Sequence, residues 1–309
     1  MPIDVFSRIR QVADTQLALA IHPLLEHVDE WEQVEDWLED EESRDAYRKE
    51  LAFGVLSRTF GVDVAVKYAG PFSWNSWEAS VRRMREALER GEIPVFESGL
   101  PDDHRQMIHS RTADFILNQY DYKGIVGIRQ GDVFLDCGAC FGETALWARM
   151  RGAARVYSFE PNPETWGWLE KNAARYNNPE HPWLFPLQLA VGDKEEFLPF
   201  MQNPDHPGGC GFAGNGNIQV PVTTLDRWCE QNRVVPDFIK MDLEGAEGVA
   251  LLGAEDIFKP YKPRFAVCLY HRLEDMWMLP RLLKAYVPEY RLWCKKSAVL
   301  SEFVLYGSI

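Results

Sequence analysis

Long apolar runs are missing from this 309-residue chain, and so is any excess of positive charge. No stretch of about 18 apolar residues occurs, which argues against a membrane-spanning helix. The opening MPIDVFSRIRQVAD lacks the charged start and apolar centre of a signal peptide, so a cytoplasmic location is the expectation. Lys and Arg number 33 against 47 Asp and Glu, a formal charge of −14. Such a surface repels the phosphate backbone that supplies most nonspecific nucleic-acid affinity, and no nucleic-acid partner is expected. Cysteine is sparse: Cys137, Cys140, Cys210, Cys229, Cys268 and Cys294 are spread along the chain and read as reduced thiols rather than a disulfide framework. Cys137 and Cys140 have the C-x-x-C spacing of redox centres and zinc half-sites, but neither a second such pair nor a well-spaced His pair completes a zinc site. No metal is expected. The dinucleotide spacing G-x-G-x-x-G is absent too, which weakens the reading of a nicotinamide-dependent oxidoreductase.

What is present suits a folded globular protein: 46% hydrophobic residues, 13% aromatic, 11 Trp. The length exceeds the usual single domain, and the pattern changes near residue 124. Residues 1–124 read as a helical accessory region. Trp31, Val34, Trp37 and Leu38 recur at helical spacing, as do Tyr47, Leu51 and Val55, with the acidic cluster Glu39 to Glu42 between them as a solvated face or turn. A second helix is expected from Trp77 to about Arg90, capped by Asn75 or Ser76, and a third from Asp103 to Asn118. Their Trp residues can bury against the rest of the chain or against a second subunit, and a homodimer is the expectation.

Residues 125–309 alternate short apolar strands with helices, the pattern of a mostly parallel α/β sheet. Strands are expected at 133–137, 155–160, 184–190, 237–242, 264–270, 290–294 and 302–306. Between the third and fourth, 196–201 and 217–222 suit an inserted hairpin around the glycine-rich loop NPDHPGGCGFAGNG, which reads either as an active-site lid or as an ordinary surface loop.

Four segments carry the chemistry. In GDVFLDCGACFGETALWARMRG a strand ends at Asp136, turns through Gly138, Ala139 and Gly142, and enters a helix near Glu143 and Thr144; such turns let backbone approach a ligand and present free N–H groups. In RVYSFEPNPETW the strand ends at Glu160, followed by Pro161 and Asn162, where a carboxylate can accept hydrogen bonds from both ribose hydroxyls of a nucleoside cofactor. In PDFIKMDLEGAEG, Lys240, Asp242 and Glu244 alternate around a strand end. Asp242 can orient an acceptor hydroxyl or take its proton, Lys240 can hold an anionic or hydroxylated substrate, and Glu244 and Glu247 can bind cofactor or substrate; structural salt bridging is the competing account. In AVCLYHRLEDMW the strand delivers His271, a candidate base near neutral pH.

These segments resemble the FkbM-type methyltransferases, through FLDCGACFGETAL, VYSFEPNPETWGWLEKNAARYN, LQLAVGD, TTLDRW, FIKMDLEGAE and FVLYG, over Gly131 to Tyr306. The resemblance implies a class I, Rossmann-like seven-stranded sheet with helices on both faces. It implies S-adenosyl-L-methionine as cofactor, S-adenosyl-L-homocysteine as product, and O-methylation of a hydroxyl on a sugar, glycan or natural product. By position, Asp136, Gly138 and Gly142 would contact the methionine part, Glu160 the ribose, and Ala190, Val191 or Asp193 the adenine side, with Asp242, Lys240 and His271 facing the acceptor. Cys137 and Cys140 stand where the family commonly has an aliphatic residue and Asn. The alternative is a noncatalytic cofactor-binding scaffold of a polysaccharide or secondary-metabolite assembly.

Overall fold

A computed structural model describes residues 21–22, 24–69, 74–203, 209–298 and 302–309. Helices come first: α1 (Val28–Trp37), α2 (Glu41–Phe60), α3 (Val62–Ala69), α4 (Trp74–Glu89) and α5 (Arg105–Arg111), followed by a π-helical turn at Thr112–Ile116. Then strand and helix alternate: β1 (Val133–Cys137), α6 (Glu143–Met150), β2 (Arg155–Phe159), α7 (Pro163–Tyr176), β3 (Leu184–Leu187), β4 (Ala190–Val191), β5 (Glu196–Met201), β6 (Gly211–Phe212) and β7 (Ile218–Thr223). The chain ends with α8 (Leu225–Asn232), β8 (Phe238–Met241), α9 (Glu247–Leu252), α10 (Glu255–Tyr261), β9 (Arg264–Cys268), α11 (Asp275–Tyr286), β10 (Arg291–Lys296) and β11 (Phe303–Ser308). Among the described residues no helix is long and apolar enough to cross a membrane.

Seven strands form one sheet in the order β10-β11-β9-β8-β1-β2-β3, with β11 antiparallel to both its neighbours and the other pairings parallel. This is the expected α/β architecture. Its central strands are covered on both faces, so they read as continuous apolar runs rather than as an alternation. Period two still sorts their side chains. Leu135, Cys137, Ile239, Met241, Phe265 and Val267 join one core cluster. Phe134, Phe238, Ala266 and Cys268 join the other, and Asp136 and Lys240 share their parity. The first cluster also takes Trp31, Val34, Tyr47, Leu51 and Val55 from α1 and α2, so these helices complete one face of the sheet. Tyr47 fixes the contact further, its hydroxyl donating to the Met276 carbonyl at 2.9 Å.

Several boundaries differ from the sequence expectation, each for a local reason. The acidic cluster does break the helices: Asp40 caps α2 by accepting from the Ser43 amide at 2.8 Å, and Glu39, Glu41 and Glu42 pair with Arg291, Arg48 and Lys123. Helix α4 begins at Trp74, so Asn75 and Ser76 lie inside its first turn rather than capping it. The expected helix over 103–118 is a short α5 followed by the π turn, where the Leu117 amide reaches the Thr112 carbonyl at 3.0 Å. The wider turn directs Asp114 onto the Thr144 hydroxyl at 2.9 Å. The strand expected over 184–190 is split, because Ala190 and Val191 leave the large sheet to pair with Val222 and Thr223. They join a separate four-stranded sheet, β4-β7-β5-β6, that contains the expected hairpin as the antiparallel pair β5 and β7. Of the glycine-rich loop, residues 204–208 lie outside the described residues.

Candidate active site

The order of strands reverses between β1 and β8: β2 and β3 lie to one side, β9 to the other. Outside the carboxyl ends of strands at such a switch point, open α/β sheets bind their ligands. Here that position holds a cavity of about 650 Å³, within the usual range for small-molecule sites. Gly138, Ala139, Cys140, Glu143, Thr144, Glu160, Pro161, Ala190, Val191, Lys240, Asp242 and Glu244 all line it.

The glycine turn is built for close approach. Gly138 has φ +88°, and a Cβ added there would lie 2.0 Å from the Asp242 carbonyl oxygen, so the turn and the end of β8 pack backbone to backbone. Glu160 is 8% exposed and accepts from the Cys140 amide through Oε2 and the Asn162 amide through Oε1, each at 2.9 Å. Burial outweighs these hydrogen bonds and pushes its carboxyl up to about 7. Each oxygen keeps a lone pair for a further donor, the requirement for holding a vicinal diol.

Asp242 accepts from two tyrosine hydroxyls, Tyr120 at 3.0 Å on Oδ2 and Tyr270 at 3.2 Å on Oδ1. Burial raises its carboxyl, but Lys240 and His271 outweigh burial and hold it below the usual range, so it stays an acceptor. Lys240 is 2% exposed at the cavity floor; its Nζ donates to the Gly138 carbonyl at 2.6 Å and stands 3.3 Å from Asp136 Oδ1. Burial disfavours its charge, and the Asp136 and Asp242 carboxylates more than restore it. With those partners it ties β8 to the glycine turn.

Other residues of the sequence reading stand apart from the cavity. Asp136 is fully buried beneath it against Lys240 and Ser158, where it balances the lysine's charge. Gly142 supplies the left-handed N-cap of α6, and Asn162 caps α7 by accepting from the Glu164 amide at 3.1 Å. Asp193 is exposed on the surface, and Leu189 lines the cavity beside Ala190 and Val191 instead. His271 is held among carboxylates. It does not line the cavity: Nδ1 lies 2.8 Å from Glu247 Oε1, and Nε2 lies 3.5 Å from Glu244 Oε1 and 3.6 Å from Asp242 Oδ1. Burial lowers the imidazole, but Glu244, Glu247 and Asp242 outweigh it and raise it to about 11. Its Nε2 is thus turned toward the cavity-lining carboxylates of Asp242 and Glu244 rather than into the cavity itself.

The far end of the cavity is lined by His104, Arg105, Gln106, His109, Gln119, Tyr120 and Glu302, none of which the sequence reading singled out. Most come from α5 and the segment after the π turn, which carry no motif. Glu302 had a signal: because β11 runs antiparallel, the residue before it sits at the carboxyl edge of the parallel strands. Glu302 lies 3.4 Å from His109 there. Cys137 and Cys140, the C-x-x-C pair, are free thiols; Cys137 faces the core.

The methyltransferase FkbM domain matches residues 136–291. The chain belongs to the FkbM methyltransferase family. Hexuronic acid methyltransferase AglP of Haloferax volcanii is 29% identical over 126 residues, 40% of this chain and 50% of AglP. The crystal structure of methyltransferase FkbM from Methylobacillus flagellatus superposes with a TM-score of 0.57 at 17% identity, covering 92% of this chain and 60% of that one. That likeness concerns the fold. The chain thus spans about half the length of AglP and three fifths of the Methylobacillus protein. The far-end residues His104, Arg105, His109, Tyr120 and Glu302 fall outside the matched FkbM segment.

Proposed function

We propose that the protein transfers a methyl group from S-adenosyl-L-methionine to a hydroxyl of a sugar-like acceptor. One observation carries the reading: Glu160 and Asp242 end β2 and β8 on either side of the glycine turn and face the same cavity. Their placement at one cavity suits a nucleoside at Glu160 and an acceptor at Asp242. When bound, the cofactor supplies an activated methyl group on a sulfonium sulfur. Glu160 would accept from the ribose hydroxyls, Ala190 and Val191 would cover the base, and the backbone of Gly138 to Cys140 would meet the methionine part. Asp242, held ionised, accepts a hydrogen bond from the acceptor hydroxyl and orients its oxygen. Orientation is the main contribution expected of such a site, worth roughly 7–11 kcal/mol of barrier in well-aligned reactions.

The polar far end supports a hydroxyl-rich acceptor, since Gln106, Gln119, His109 and Glu302 offer donors and acceptors at several angles. Arg105 there favours an acceptor with a carboxylate, consistent with the hexuronic acid in the name of AglP. The test is incubation with methyl-labelled S-adenosylmethionine and a panel of uronic acid and neutral oligosaccharides. Label on a uronic acid hydroxyl, reduced at least tenfold in the Asp242→Asn variant, is the expected result. Label on no sugar of the panel, or unchanged transfer by the variant, contradicts the proposal.

A further inference from the structure

His271 has unusual surroundings. Its side chain is 8% exposed, and its Nε2 has no hydrogen-bond partner although two carboxylates face it. Separations of 3.5 Å to Glu244 and 3.6 Å to Asp242 are too long for good hydrogen bonds. They are the separations expected of two ligand atoms that share a cation. With bonds of about 2.1 Å, neighbouring ligands stand about 3.0 Å apart at a right angle and about 3.4 Å apart at a tetrahedral one. One ligand atom each from Asp242, Glu244 and His271 lies within 4.8 Å of the others.

The ring's other nitrogen faces a fourth acidic group. Glu247 is fully buried, and its Oε1 stands 2.8 Å from Nδ1 while accepting from the Leu243 amide at 2.6 Å, which fixes the carboxylate in place. A carboxylate behind a histidine, with the second nitrogen aimed at oxygen ligands, is the arrangement that orients metal-binding imidazoles. Charge points the same way. Three carboxylates, Asp242, Glu244 and Glu247, surround His271, and the ammonium of nearby Lys240 is already engaged by Asp136 and the Gly138 carbonyl.

We propose that Asp242, Glu244 and His271 Nε2 bind a divalent cation, with Glu247 positioning the imidazole, and that open positions of the cation receive the acceptor hydroxyl. Mixed carboxylate and imidazole donors suit Mn²⁺ better than Mg²⁺, which prefers oxygen alone. Asp242 and Glu244 both line the cavity, so the ion has a path in and a face toward the acceptor. Asp242 then acts on the acceptor through the cation. The acceptor half of the proposal rests on the methyl-transfer reading; the cation half does not.

The test is titration of chelator-treated full-length protein with Mn²⁺, followed by the paramagnetic resonance signal of the free ion, with S-adenosylhomocysteine binding measured in parallel. One Mn²⁺ per chain is expected, with affinity reduced at least tenfold in Glu244→Gln and about 10–100-fold in Glu247→Gln. Glu244 is 35% exposed, so its variant keeps the fold even where substitution of the buried Glu247 does not. Absence of Mn²⁺ binding by the parent protein, or equal binding by Glu244→Gln, overturns the cation site. A protein that binds S-adenosylhomocysteine but no Mn²⁺ overturns this inference alone; one that binds Mn²⁺ but no S-adenosylhomocysteine leaves the site standing and overturns the cofactor reading.

Discussion

Lys240 donates to the carbonyl of Gly138, 102 residues earlier in the chain, at 2.6 Å. One buried ammonium thereby holds the end of β8 against the glycine turn and balances Asp136, 3.3 Å away. Replacing it by Met leaves Asp136 as an uncompensated buried charge, a loss that typically costs about 3–5 kcal/mol. Chemical denaturation of Lys240→Met is expected to show this loss, and adding Asp136→Asn is expected to recover part of it. Equal stability of Lys240→Met and the parent contradicts the role.

Gly138 cannot be replaced by Ala without strain. Its φ is +88°, where a side chain costs about 1–2 kcal/mol, and the added Cβ would meet the Asp242 carbonyl at 2.0 Å. The Gly138→Ala variant should therefore lose more than that amount in denaturation and bind S-adenosylhomocysteine at least tenfold more weakly. Calorimetry that finds parent-like affinity removes the turn from the site.

Glu160 makes cofactor affinity depend on pH. Its carboxyl titrates near 7, and only the ionised form accepts from both ribose hydroxyls. Affinity for S-adenosylhomocysteine should fall about tenfold from pH 8 to pH 6, while Glu160→Gln should be flat across that range. The unliganded fold follows the opposite sign. A carboxyl raised from 4.5 to about 7 binds more protons folded than unfolded, so its contribution is full below pH 4.5 and lost as pH rises through 7, roughly 3 kcal/mol in all. The stabilisation by ligand, seen as a shift in melting temperature, should accordingly grow with pH.

Glu50 on α2 tests how firmly the N-terminal helices are joined to the sheet. Lys296 Nζ on β10 stands 2.9 Å from both its carboxylate oxygens, and each side chain is 5% exposed. Glu50→Ala should cost about 3–5 kcal/mol, and thermal unfolding should remain a single transition because α1 and α2 share a core with β8, β9 and β11. Separate melting of the helices and the sheet contradicts this.

The strands and the carboxyl edge that holds the cavity were legible in the sequence because buried parallel strands read as apolar runs and because acidic residues follow them at 160 and 242. The partners of Lys240 and His271 were not legible, for one reason: sequence places a side chain at an edge but does not show what already occupies it. Lys240 meets Asp136 through strand pairing, and His271 meets Glu244 and Glu247 through a loop with Glu244 at φ +52°. The far end of the cavity was illegible because α5 and the π turn join it only through the fold, at positions that follow no spacing rule.

The most direct measurement is isothermal titration of the protein with S-adenosylhomocysteine, repeated on Glu160→Ala. One site per chain is expected, with affinity on the order of micromolar, about −8 kcal/mol, weakened at least tenfold in the variant. No binding by the parent protein, or equal binding by Glu160→Ala, would contradict the cofactor reading.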